Sequence, residues 1–209
     1  MKLYYATNTC SLSPHIIANE AGIVLELERI DLAATPRLTA GGQPFAEINP
    51  KGYVPALRLD DGSLLTEGVA LALYLADQAP DSGLVPAEGT PERYRLLEWL
   101  TFISSELHKA YSPWLFHPEL GETAQQAARA KIAVWLGLIE RHLHAHDYLL
   151  GARFSAADAY AFTVIGWSKF TRVDLAPFPR VADYLRRIAA RPHVRAAMRA
   201  QGMAVAAAA

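Results

Sequence analysis

The residues from Asn49 to Gly68 limit the possible folds of this chain more than any other stretch: Asn-Pro-Lys-Gly-Tyr-Val-Pro-Ala-Leu, a short polar turn, then Leu-Leu-Thr-Glu-Gly. Pro55 has no N–H to give to a ladder, which puts it at the first residue or the edge of a strand. Asp60-Asp61-Gly62 contains the Asp-Gly pair favoured in tight hairpins, so Ala56 to Leu59 and Ser63 to Leu65 read as two paired strands. A helix follows from about Glu67. The Val54-Pro55 bond is a candidate for the cis form, which X-Pro pairs tolerate. In that form Val54 would keep its backbone N–H and C=O outside the sheet, free to pair with an extended ligand. Thr66, Glu67 and Gly68 add a hydroxyl, a carboxylate and helix N-terminal amides. The stretch reads as a receptor for a peptide-like molecule with an amine and carboxylates.

The surrounding residues complete a small module. Lys2 to Tyr5 is a short β-prone run. Leu12 to Ala21 is a helix closed by Gly22, and Leu25 to Leu32 is a second strand. Thr35 to Ala46 is loop-like with room for a short helical piece, and Val69 to Ala79 is an apolar-rich helix. This order, β-α-β-(α)-β-β-α, predicts a small mixed sheet with helices on its faces over residues 1–80. The Pro/Gly-rich residues 81–89 form a linker. Residues 90–209 then read as an all-α helical domain, with helices at 91–111, 122–146, 155–170, 179–190 and from Pro192. Ser155 and Asp158 have the spacing of a capping box, with Phe154 in the staple position, which gives them a structural role. The 155–170 segment is apolar nearly all round, as expected of a buried central helix. No function is readable in the Ala204–Ala209 tail.

Composition excludes several classes of function. The chain has 209 residues, 52% hydrophobic and 20% charged, with a formal net charge of −1, so it carries no basic stripe for nucleic acid. The late arginines, such as Arg186, Arg187, Arg191 and Arg195, recur at helical spacing and read as a solvated helix face. No apolar run approaches the roughly 18 residues of a membrane span. The first residues enter a strand pattern with no signal-peptide core. A single cysteine excludes an internal disulfide and, with no signal, favours the cytoplasm.

Cys10 lies where the first strand meets the first helix, a position whose amides and helix dipole favour a thiolate. Ser11 beside it is placed to cap the helix or to donate to a bound sulfur. His15, one turn on, reads as a support for this loop. His108 and Lys109, beside Tyr111, Trp114 and Phe116, offer an imidazole and an ammonium next to aromatic rings, a combination suited to polarising an electrophile with an apolar body. His142, His144 and His146 alternate along a helix without sharing one face, so no metal site is expected.

With Cys10-Ser11, Pro14-His15, Asn49 to Leu57, Asp60 to Ala70, Ser105 to Lys109 and Phe154 to Tyr160 in view, the chain resembles a cytosolic glutathione S-transferase, and most closely the bacterial beta class. The match covers nearly the whole chain. It implies a thioredoxin-like N-terminal domain, an all-helical second domain, a homodimer and glutathione as co-substrate. It places glutathione against Tyr53, Val54, Pro55, Glu67, Gly68 and the partner subunit's Thr101. The thiol would lie near Cys10 and Ser11, and His108, Lys109, Tyr111 and Trp114 would border the electrophile pocket. Two departures imply weaker glutathione binding. Thr101 stands where many members carry a longer Asn, and Ala33 to Arg37 lacks a lysine often found near the glycyl carboxylate. The implied activity is conjugation of glutathione to small apolar electrophiles in detoxification, or thiol–disulfide exchange through Cys10 with a second glutathione as resolving thiol. A glutathione-dependent isomerase or dehalogenase and a non-catalytic binding or interaction protein are the alternatives on the same scaffold.

Overall fold

The computed structural model describes residues 1–205, so the last four residues of the alanine tail lie outside it. The chain forms two compact units. One is Met1–Leu84 together with the segment from Arg191 onward; the other is Val85–Ala190.

The first unit is built on a five-stranded sheet in the order β3-β2-β1-β4-β5. Its strands are β1 (Lys2–Tyr5), β2 (Glu26–Asp31), β3 (Leu38–Thr39), β4 (Ala56–Arg58) and β5 (Leu64–Thr66). β1 runs parallel to β2, with Leu3 opposite Leu27, and antiparallel to β4, with Leu3 opposite Leu57. The parallel pair needs a crossover, which α1 (Leu12–Glu20) supplies. Leu3, Ile16, Ile17, Leu57, Leu71 and Leu75 are fully buried, so α1 and α2 (Gly68–Asp77) cover the sheet. In the hairpin, Leu59 N–H donates to the Ser63 carbonyl at 2.9 Å, and Gly62 takes the left-handed conformation (φ 84) that its turn requires.

Two features differ from expectation. The loop at 35–46 holds the short helical piece expected, a 3₁₀ turn at Phe45–Glu47, but also a two-residue strand, β3, that pairs with β2. The final helix, α9 (Pro192–Ala200), packs against α1 within the first unit instead of joining the helical domain assigned to 90–209. Arg191 holds it there with a two-pronged ion pair to Glu20, both contacts 2.7 Å, and Asn19 Nδ2 donates to the His193 carbonyl at 3.2 Å.

The second unit is helical: α3 (Pro91–Phe102), α4 (His108–Tyr111), α5 (Glu122–His142), α6 (Ala156–Ile165), α7 (Ser168–Thr171) and α8 (Pro179–Ala189). Thr90 caps α3, accepting from the Arg93 N–H, and Pro91 takes the first helical position, where its missing N–H costs nothing. All ten residues of α6 are buried, as its all-round apolar sequence predicts. Asp158 in its first turn is wholly buried. Its carboxylate accepts from the Ser155 N–H (2.8 Å), the Ser155 hydroxyl (2.6 Å), the Leu149 N–H (2.9 Å) and the Tyr184 hydroxyl (2.8 Å). Burial pushes the carboxyl up, and those donors push back. α5 ends at His142, so His144 and His146 lie beyond it, and His142 stacks on His146 with ring centroids 4.3 Å apart. No helix among the described residues is long and apolar enough to cross a membrane.

Candidate functional site

In the first unit, the turn from Ala6 to Leu12 positions Cys10. Ser11 is fully buried. Its hydroxyl accepts from the Ala6 N–H at 3.2 Å, lies 3.1 Å from the Ala6 carbonyl, and meets the Thr9 hydroxyl at 2.7 Å. It therefore does not cap α1; its hydroxyl closes the turn. Thr9, which local sequence did not mark, completes the lock by donating to the Ala6 carbonyl at 2.8 Å.

Cys10 follows from that lock. Its Sγ donates to the Val54 carbonyl at 3.4 Å, a contact that requires the protonated thiol. This departs from the expected open Val54 carbonyl, because the thiol reaches across from the α1 turn and occupies it. The Val54-Pro55 bond is cis, and both residues are buried. His15 is buried, and burial holds its imidazole down at about 4, hence neutral.

The third element is the 49–68 stretch. Glu67 precedes α2 at φ 74, a conformation that non-glycine residues seldom adopt and that clusters at functional sites. Its carboxylate accepts from Lys51 Nζ at 2.6 Å and from the Tyr53 hydroxyl at 2.7 Å, and Lys51 also reaches the Thr66 hydroxyl at 2.9 Å. Glu67 raises both the Lys51 ammonium and the Tyr53 phenol, since each proton is held by a carboxylate. Gly68 opens α2 directly after it. Arg37 turns onto the Gly52 carbonyl, so the 35–37 segment is tied to the turn before Tyr53. Lys51 is absent from the sequence-based site, although its place in the Asn-Pro-Lys-Gly turn was the available signal. The structure thus joins Cys10 to Val54 and Tyr53 to Glu67, within one unit.

The second unit carries the other candidates. A π-helical turn, Ile103–Leu107, runs directly into His108, interrupting what the sequence reads as one helix. Ser104 and Ser105 both donate to the carbonyl of the exposed Thr101, at 3.0 and 2.9 Å. Side chains that bond back in this way loosen the α ladder, and π turns favour functional sites. His108 Nδ1 shares a 2.8 Å hydrogen bond with the Tyr160 hydroxyl, and its ring lies edge-on to Trp167 with centroids 4.9 Å apart. Burial first, and Lys109 second, hold this imidazole at about 4, so it is a neutral hydrogen-bonding group and not a cation. Lys109 is exposed.

Tyr111 belongs to the core and not to a pocket. It is fully buried, its hydroxyl meets Ser168 Oγ at 2.7 Å, and burial pushes its phenol up to about 12. Trp114 is 43% exposed and lines an open pocket of about 260 Å³ with Ala110, Ala124, Ala127, Ala128 and Lys131. His108, Lys109 and Tyr111 lie outside that lining. Tyr160 and Trp167, which orient His108, carry no local signal because they lie far along the chain from it. Among the described residues no group of three or more His, Cys, Asp or Glu side chains is arranged to hold a metal ion.

Comparison with known proteins identifies the family. The glutathione S-transferase N-terminal domain matches residues 9–78, and the C-terminal domain of the same family matches residues 99–192. Glutathione S-transferase GstA of Escherichia coli O157:H7 is 42% identical over 203 residues, covering 97% of this chain and all of that protein. The solved structure of a sphingomonad glutathione S-transferase complexed with glutathione is 44% identical and superposes with a TM-score of 0.92, covering 98% of this chain and 100% of that one. A bacterial beta class glutathione S-transferase of Sphingomonas chungbukensis is 42% identical with a TM-score of 0.92, again over 98% and 100% of the two chains. With both domains matched in order and relatives aligned from end to end, this chain belongs to the glutathione S-transferase family and is similar to its bacterial beta class.

Proposed function

We propose that the protein binds glutathione along residues 53–68 and joins it through its sulfur to small apolar electrophiles. The observation that carries this reading is the meeting of the Cys10 thiol with the Val54 carbonyl, beside a cis Val54-Pro55 bond. A ligand cysteinyl group that pairs with the Val54 backbone would take the acceptor that Cys10 now holds, and would put its own sulfur beside Cys10. The amides at the head of α2, with Glu67 and Gly68, suit the γ-glutamyl group, because an amine meets the carboxylate and a carboxylate meets the helix N-terminus. Lys51, now paired with Glu67, offers an ammonium for a second ligand carboxylate. In the reaction the glutathione thiol gives up its proton to solvent water. Its sulfur then forms a bond to the electrophilic carbon, and the leaving group departs with the electron pair. His108, neutral and held by Tyr160, is a hydrogen-bonding group suited to polarising an electrophile. Thr101, exposed at the π turn, contacts glutathione across a homodimer.

Thiol–disulfide exchange is the second reaction of this site. Cys10 attacks a glutathione mixed disulfide and releases a reduced thiol. A second glutathione then attacks the resulting Cys10 disulfide, because the chain has one cysteine and no internal resolving thiol. Calorimetry with glutathione, followed by parallel assays of conjugation and disulfide reduction on wild type and Cys10→Ala, tests both. Binding in the millimolar range or tighter, with disulfide reduction lost and conjugation kept in Cys10→Ala, is the expected result. No binding at millimolar glutathione would sink the enzyme reading and favour a non-catalytic interaction protein. Size-exclusion chromatography with light scattering tests the homodimer.

A further inference from the structure

We propose that Gln201, at the end of α9, is a positioning residue that holds the Cys10–Ser11 turn in register with Val54, just before β4. It rests on the reading of Cys10 and Val54 as the sulfur end of the glutathione site. Gln201 is 1% exposed. Its Nε2 donates to the Ser11 carbonyl at 3.3 Å and lies 3.2 Å from His15 Nδ1. Its own carbonyl accepts from the Thr7 hydroxyl at 2.8 Å. One residue from the far end of the chain therefore pins the segment that carries Cys10 before, just after and one helical turn beyond the thiol.

The geometry fixes the amide's orientation. Turned over, its oxygen would face the Ser11 carbonyl oxygen, two acceptors with no proton between them, so the nitrogen must point there. His15 then accepts at Nδ1, which its buried neutral imidazole allows. Oε1 is buried and has no hydrogen-bond partner among the described residues. Such a group is costly to keep and offsets part of what the Nε2 contacts contribute, so stability alone is an incomplete account of Gln201. α9 itself is fastened separately at its start by Glu20–Arg191 and Asn19–His193, so the end of the helix is not needed to dock it. Without Gln201 the turn loses its anchor, and Cys10 is freed from the Val54 carbonyl.

The test uses the intact protein and its single cysteine, which makes alkylation by iodoacetamide a direct report on Cys10. Gln201→Ala and the volume-conserving Gln201→Met should both speed alkylation at least about fivefold, and raise KM for glutathione more than they lower kcat. Arg191→Ala loosens α9 at its other end and should stay within about twofold of wild type in both readouts. An alkylation rate within about twofold of wild type in a folded Gln201 variant overturns the proposal, as does loss of folding in both variants; Gln201 is then a stability residue. Equal acceleration in Arg191→Ala overturns it too, since any loosening of α9 would then suffice. Absence of glutathione binding by the wild type would remove the functional reading while leaving the alkylation result to stand or fall by itself.

Discussion

Asp158 sits in the first turn of α6 and Glu67 directly before α2, so both carboxylates meet the positive end of a helix dipole. Asp158 is wholly buried and takes four donors from three residues that the fold supplies. Glu67 has a side chain 56% exposed, and the Lys51 and Tyr53 groups that bind it are exposed as well. The first arrangement is closed, since water cannot replace any lost partner and removing the carboxylate strands several buried donors. In the second, water can substitute for each contact, so a ligand's amine can too. The difference separates a carboxylate that holds a fold from one that can exchange partners.

The sharpest way to break that comparison is Asp158→Ala, which should cost about 3 kcal/mol or more by leaving the Leu149 and Ser155 N–H groups and the Tyr184 hydroxyl without their acceptor. Denaturant unfolding checks it, and a loss below about 1 kcal/mol would mean the cluster relaxes or admits water.

Acid is the next largest lever. His15 and His108 both sit near 4 in the fold against an ordinary 6.5. Between those values the unfolded chain binds protons that the folded chain does not, so stability falls as pH drops from about 6.5 to about 4 and levels off below. A loss of about 2 kcal/mol from each is expected, allowing for the partial exposure of His108. Unfolding midpoints at stepped pH should show this, and His15→Leu should flatten about half of the slope if it folds.

Glu67→Gln should leave the thermal midpoint nearly unchanged while weakening glutathione binding about tenfold, read by calorimetry, since a charge-assisted contact becomes a neutral one. If stability drops instead and affinity holds, Glu67 belongs with Asp158 as a structural group. The smallest effect is expected for Lys51→Ala: no resolvable change in midpoint, and a loss of glutathione affinity that disappears at high salt.

Much of this was legible locally. Pro55, the Asp-Gly turn and Gly22 mark positions where the backbone has few options, so the 49–68 hairpin and α1 follow from the residues themselves. Ser155 and Asp158 are three apart and signal the start of α6 directly. The features that escaped depend on contacts between distant residues. β3 is two residues long and exists because β2 lies alongside it. α9 reads as one more amphipathic helix, and contacts with distant residues such as Glu20 and Asn19 decide which unit it joins. In the site, Ser11 carries the right group in the right place but spends its hydroxyl on Ala6, and Tyr111 has the right chemistry but lies in the core. Gln201 could not be read at all, since its partners lie some 190 residues away.

The π turn at Ile103–Leu107 bears on how this region tolerates insertions and deletions. A π turn holds one more residue than an α turn, so everything after it is rotated by about 100° relative to an uninterrupted helix. Deleting a single residue from 103–107 would let the ladder close as plain α-helix, and would swing His108 away from Tyr160 and Trp167 while keeping every side chain around it. The orientation of that imidazole is thus set by chain length as much as by residue identity.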